Sequence, residues 1–241
     1  MNDTIEPLYD KSCACMVCGH SFTTKRIRSR FVKVKKLHND FFTEYKEVDL
    51  NPSYYEAAVC PECGFTFTDM FQPSFPPGSS DAIREVLKSW KKQNFGEQRT
   101  RSDAIRTMKL ALLSAVLKKE KHIVIAGLCL RLAWVYRELR SSELSSNKLP
   151  QSEEKRFLEQ ALERYIASYE QADYVGTQMS DIRILYLIGE LSRQLGNQAD
   201  GIRYFSEVIH HKNRAVETKL VEMAREQWYI MRQGIKDVAS Q

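Results

Sequence analysis

Cys60-Pro61-Glu62-Cys63-Gly64, with its earlier counterpart Cys15-Met16-Val17-Cys18-Gly19, is the stretch on which the fold turns. Two intervening residues let both sulfurs of one turn reach a single metal ion, and the glycine that follows accepts the backbone conformations that close a tight loop around the sulfur. Two such turns supply four thiolates, the ligand set of a tetrahedral structural zinc site. Cys15, Cys18, Cys60 and Cys63 are therefore the expected ligands. A closed four-sulfur set leaves no open coordination position, so the expected role is to stabilise the fold and not to catalyse. Iron in a rubredoxin-like site is the less favoured alternative, since two such turns also suit iron. Redox dithiol chemistry is disfavoured, because a reactive Cys-x-x-Cys sits at a helix start and both turns here lie among strand-like residues. Cys13 and His20 flank the first turn: Cys13 could substitute for Cys15 or be free, and His20 could compete as a ligand. Cys129, far away in a helical segment, reads as a small buried residue.

Outward from the two turns, residues 1–78 read as strand and loop. Ser21 to Leu37 alternates, with Ile27, Ser29 and Phe31 on one parity and Arg26, Arg28 and Arg30 on the other. Asn51-Pro52-Ser53 marks a turn, Tyr54–Val59 reads as a strand entering Cys60, and Phe65–Phe71 as one leaving Cys63. Phe31, Phe41, Phe42 and Tyr45 could stack bases, but the preferred expectation is a small core for this head, which is otherwise poor in aliphatic residues. Phe75-Pro76-Pro77-Gly78-Ser79-Ser80 breaks the chain and sets a boundary between a metal-binding domain, 1–78, and a helical one, 81–241.

Beyond Asp81 prolines almost vanish and apolar residues recur at helical spacing, predicting helices near 82–92, 101–119, 122–140, 152–173, 181–195, 198–212 and 216–234. Asp81, Ser102, Ser152 and Ser180 or Asp181 are expected N-caps. A 34-residue frame starting at Ile182 places Leu185, Ile188, Gly189, Gly201, Phe205 and Val208 where a tetratricopeptide (TPR) repeat keeps its apolar and small residues. A second frame starts at Ala126 and resumes at Leu158, Ala161 and Leu162 after an extra loop, Ser141 to Leu149. The expected fold class is α+β: a small zinc-ribbon-like β domain, then an all-α, TPR-like antiparallel array of about seven helices.

Tyr9-Asp10-Lys11, the two cysteine turns, Asn51-Pro52-x-Tyr54-Tyr55 and Leu132-Ala133-Trp134-Val135-Tyr136-Arg137 together resemble a bacterial family catalogued as a domain of unknown function, number 2225. The resemblance covers nearly the whole chain. It implies a zinc-ribbon-like head and TPR-like helices and implies no activity. Met16, where the family usually has proline, and the extra Cys13 depart from its pattern.

The net charge of +5 is too small to argue for nucleic acid globally, so that case rests on local clustering. Arg26, Arg28 and Arg30 on one strand face would be spaced by about 6.6–6.8 Å and could track phosphates or an acidic protein, or be ordinary surface charge. In the TPR-like frames Trp134, Arg137, Arg183, Tyr186 and Arg193 face an inner groove, where the arginines could clamp a peptide carboxylate or instead pair with neighbouring glutamates such as Glu138 and Glu190. His38, His122, His210 and His211 join no recognised catalytic arrangement. The polar, acidic start carries no signal-peptide pattern, and no run of 18 apolar residues spans a membrane. The expectation is a cytoplasmic, non-catalytic adaptor that binds a protein or peptide. Nucleic-acid binding through the basic strand is the second reading, and a metal-dependent or redox enzyme the third; oligomeric state is left open.

Overall fold

The computed structural model describes residues 5–142 and 149–239. The chain start at 1–4 and most of the extra loop between the two repeat frames, 143–148, lie outside the described residues.

Three short antiparallel hairpins form the head. In the first, β1 (Leu8–Ala14) pairs with β2 (Ser21–Ile27) from Leu8↔Ile27 to Ala14↔Ser21, so the first cysteine turn is the hairpin's tip. The second joins β3 (Val34–Leu37) to β4 (Thr43–Tyr45) with a bulge between Val34 and Lys36. In the third, β5 (Ala58–Val59) pairs with β6 (Thr66–Phe67), again with a cysteine turn as its tip.

The strand expected over Ser21–Leu37 is not continuous. It stops at Ile27, turns through a 3₁₀ segment at Ser29–Phe31 and restarts at Val34. The partner strand explains the stop. The amide of Arg28 donates to the carbonyl of Pro7 at 2.9 Å, but proline has no N–H to return and the ladder ends there. The expected strand at Tyr54–Val59 is likewise shortened to Ala58–Val59. Pro52–Tyr55 forms a 3₁₀ turn capped by the Asn51 side chain, which accepts from the Ser53 amide at 2.9 Å. Of Phe65–Phe71 only Thr66–Phe67 is strand, because the amide of Phe71 turns back onto the carbonyl of Thr68.

Seven helices follow among the described residues: α1 (Ser79–Leu87), α2 (Arg101–Lys118), α3 (His122–Ser142), α4 (Leu149–Gln171), α5 (Asp181–Gln194), α6 (Gln198–His210) and α7 (Thr218–Ala239). Ser180 caps α5 as expected, accepting from the Arg183 amide. Helix α2 is capped two residues earlier than expected, by Thr100 in a capping box with Asp103. Helices α3 and α4 run antiparallel: Asp173, just beyond α4, receives the amides of His122 and Ile123 at the start of α3, while Arg137 near the end of α3 binds Glu154 near the start of α4. The small residues of the later repeat frame sit where helices meet. A Cβ on Gly189 would lie 3.0 Å from the Phe205 ring, and one on Gly201 would meet Met231 of α7. This close pairing is compatible with TPR-like packing.

The apolar core does not break where the composition does. One buried cluster includes Cys15, Cys60 and Phe65 of the head, Ile83 of α1, Met108 of α2 and Leu132 of α3, and continues to Met231 of α7. Arg99, 3% exposed, ties the head to the start of α2. Its guanidinium donates to the carbonyls of Phe95, Tyr54 and Ala57 and to the Thr24 hydroxyl. Burial among these neutral acceptors pulls its pKa down to about 10.

Candidate metal centre

The two cysteine turns are near copies of each other. In the first, the Gly19 amide donates to the Cys15 carbonyl and the Cys15 amide to the His20 carbonyl, both at 2.9 Å. In the second, Gly64 donates to Cys60 at 2.9 Å and Cys60 to Phe65 at 3.0 Å. Gly19 and Gly64 have φ of 74° and 73°, the left-handed region where a side chain is strained. The glycine that the motif carries is therefore required by the backbone of both turns.

The hairpins bring the tips together so that the sulfurs of Cys15, Cys18, Cys60 and Cys63 all lie within 4.8 Å of one another. Cys15 Sγ–Cys63 Sγ and Cys18 Sγ–Cys60 Sγ are each 3.6 Å. A tetrahedron of thiolates at a Zn–S distance of about 2.3 Å has edges of about 3.8 Å, so these sulfurs stand at metal-binding separations. Four cysteines this close can hold a metal ion. As bare thiols they share protons: Cys15 is brought down to about 5, chiefly by its hydrogen bond with Cys63, whose own thiol is pushed up in turn. Burial raises Cys60 to about 11. A cation removes that competition, because every ligand can then be thiolate.

Cys13 stands apart from the cluster. It lies in β1 opposite Phe22, with its sulfur 3.8 Å from the Lys11 carbonyl. His20 contributes its main-chain carbonyl to the first turn and its ring is not among the clustered groups. Cys129 is 1% exposed within α3, and burial lifts its thiol to about 12.

Two further side chains complete the centre, and the motif spacing gave no signal of either. Arg84 of α1 donates to the carbonyl of Val17 at 2.5 Å, and the Trp90 indole donates to the carbonyl of Pro61 at 3.0 Å. The first helix and the segment after it thus clamp both tips by main-chain oxygens next to the ligands. Such supports orient ligands without touching the ion.

The other expected site residues separate into two groups. Arg26 approaches Asp69 at 3.4 Å, Arg28 leaves the strand to lie over the Tyr9 ring and donate to the Glu6 carbonyl, and Arg30 sits in the 3₁₀ turn over Phe31. The single-faced row of arginines expected from alternation is therefore not formed, because the strand ends at Ile27.

On the helices, Trp134, Arg137, Tyr186 and Arg193 do come together, around the tip of the β3–β4 hairpin. Asp40, wholly buried, accepts at Oδ2 from Arg137 Nη1 at 2.8 Å and Trp134 Nε1 at 3.3 Å. Phe42 lies 6.3 Å from the Trp134 ring with the Arg137 guanidinium over its face, and Phe41 packs 5.6 Å from Tyr186. These two rings thus pack on the helices, not within a separate head core, because the hairpin is long enough to carry them there. Arg137 also binds Glu154 and Gln194, at 2.7 and 3.0 Å. Arg193 pairs with buried Glu190, and Glu138 is taken by Tyr54 and Asn51 of the head. Arg183 is not part of this group. It is ten residues from Arg193, about 15 Å along one helix, and faces Glu217 at 3.7 Å.

Among the described residues no helix is long and apolar enough to cross a membrane. No curated protein and no solved structure gives a significant match to this chain. The family described as an uncharacterized protein conserved in bacteria, DUF2225, matches residues 8–231, which include both cysteine turns and run into the last helix, and the chain belongs to that family.

Proposed function

We propose that the protein is a non-catalytic adaptor: zinc held by Cys15, Cys18, Cys60 and Cys63 fixes the head, and the face of α3 and α5 receives an acidic segment of a protein partner. Zinc is favoured over iron because a closed tetrahedral four-thiolate set is the usual form of a structural zinc site, with iron the alternative that the metal measurement decides. Reduced, metal-bound thiolates point to the cytoplasm as the working compartment. The observation that carries the reading is the reception of the Asp40 carboxylate by Arg137 and Trp134, with Arg193 beside them. A planar guanidinium set beside an indole N–H and aromatic faces is a carboxylate receptor of the kind used in peptide recognition. Among the described residues the basic strand forms no comparable arrangement for phosphate, since Arg26, Arg28 and Arg30 each have separate neighbours within the head.

The test is affinity purification of the tagged chain from its bacterial host, with crosslinks mapped by mass spectrometry and zinc measured on the same sample. The expected result is a stoichiometric metal and a partner crosslinked to α3 or α5. Partner recovery should drop at least tenfold with Arg137→Glu plus Arg193→Glu. Undiminished recovery by a folded double variant overturns the groove reading, and iron at full stoichiometry overturns the zinc assignment.

A further inference from the structure

The β3–β4 hairpin has the construction of an arm. Every residue of β3 is exposed, with Val34 and Leu37 more than half so, and β4 is half-buried. An isolated two-stranded hairpin with a solvated stalk has little stability of its own. Its tip is the opposite. Asp40 and Phe42 are buried, and both oxygens of Asp40 are engaged: Oδ1 accepts the Phe42 amide at 3.2 Å while Oδ2 takes Arg137 and Trp134. Phe41, between them, is held at φ 65°, a left-handed conformation unfavourable for an aromatic residue. The arm is thus anchored by its tip, in a strained turn, on the very side chains that the repeat frames aim into the groove.

We propose that Asp40-Phe41-Phe42 is a built-in occupant of the groove, and that the partner segment it stands in for is an acidic–aromatic peptide: a carboxylate beside two aromatic side chains. This rests on the adaptor reading and deepens it. The chemistry of the receptor sets the requirement. An apolar segment that displaced the tip would leave Arg137 with Glu154 and Gln194 but would strip one guanidinium N–H and the Trp134 indole N–H of their acceptor in a largely buried site, so a competitor that brings its own carboxylate is favoured. Tyr186 and Trp134 supply faces for two rings. The tip also lowers apparent affinity, because an incoming segment binds only the fraction of molecules whose tip has left.

The probe is a fluorescein-labelled synthetic peptide carrying the chain's own Leu37–Tyr45 sequence. A tip-emptied protein, Asp40→Ala with Phe41→Ala and Phe42→Ala, is expected to bind it at least tenfold more tightly than the wild type in fluorescence anisotropy. Adding Arg137→Gln, or using a peptide with alanine at the three tip positions, should abolish the gain. Because the triple variant could misfold, hydrogen exchange on the wild-type chain gives a second reading. Saturating peptide should speed exchange at the Phe41 and Phe42 amides while α5–α7 stay protected. Lack of binding by a helical tip-emptied variant overturns the proposal, as does equal binding of the alanine peptide. Unchanged exchange at the tip under saturating peptide, or a wild-type dimer that exchanges its arms between copies, overturns it as well. Peptide binding without any crosslinked cellular partner sinks the adaptor reading alone and leaves the receptor chemistry standing.

Discussion

The two cysteine turns share a backbone and differ in what surrounds them. Gly19 and Gly64 have the same φ to within a degree, yet a Cβ on Gly19 would meet nothing within 4 Å, whereas one on Gly64 would lie 2.4 Å from the Trp90 ring. The leading cysteines, Cys15 and Cys60, are both buried, but the second of each pair differs, Cys18 being exposed and Cys63 half-buried. The first turn is thus open at its outer end although Cys15 and Val17 lie in the core, and the second is packed more closely, where the Thr66 amide donates to Ser114 Oγ of α2 at 3.1 Å. Identical local chemistry carries unequal structural weight because helix α1 and its sequel touch both turns but the Trp90 ring closes on the glycine of only one.

The largest expected effect removes what the turns share. Chelation of the metal should cost the head about 10–16 kcal/mol of apparent binding energy. Hydrogen exchange should then rise across residues 8–75, while α5–α7, whose core lies in Leu185, Ile188 and Phe205, keep their protection. Retained protection of the head in metal-free protein would break the assignment of a folding role to the cluster. Substitution of the glycines then separates the turns. Gly64→Ala combines left-handed strain with overpacking against the indole, about 2–5 kcal/mol together. At about 2–4 °C per kcal/mol for a chain this size, the melting temperature of metal-loaded protein should fall markedly. Gly19→Ala carries the strain alone, about 1–2 kcal/mol, and should lower the same midpoint by only a few degrees. Equal shifts for the two variants would mean that the Trp90 contact adds nothing.

The helices were legible because their signals are local. The expected 101–119, 122–140 and 181–195 differ from Arg101–Lys118, His122–Ser142 and Asp181–Gln194 by two residues or fewer at each end. Strands were harder, since a strand needs a partner to continue. Alternation alone carried the expected strand past Ile27, where the opposite chain is Pro7 and can no longer donate. The four sulfurs were legible from the spacing of each turn, but their clamps were not. Trp90 and Arg84 reach Pro61 and Val17 across 29 and 67 residues, and nothing in either local sequence marks them.

The sequence by itself determined the four-cysteine set and the two glycines that close its turns. It determined the change from hairpins to helices near residue 79 and the small residues on which α5, α6 and α7 close. Each of these depends on backbone geometry or side-chain period within a few residues. Only the tertiary structure decided that one core runs through head and helices, that the arginines of β2 and the turn after it do not form a row, and that Arg137 is met by Asp40, 97 positions away. Such pairings depend on where a hairpin's tip lands. That is set by the packing of the whole chain, because a buried carboxylate is tolerated only where the fold brings a charged and hydrogen-bonding partner to it.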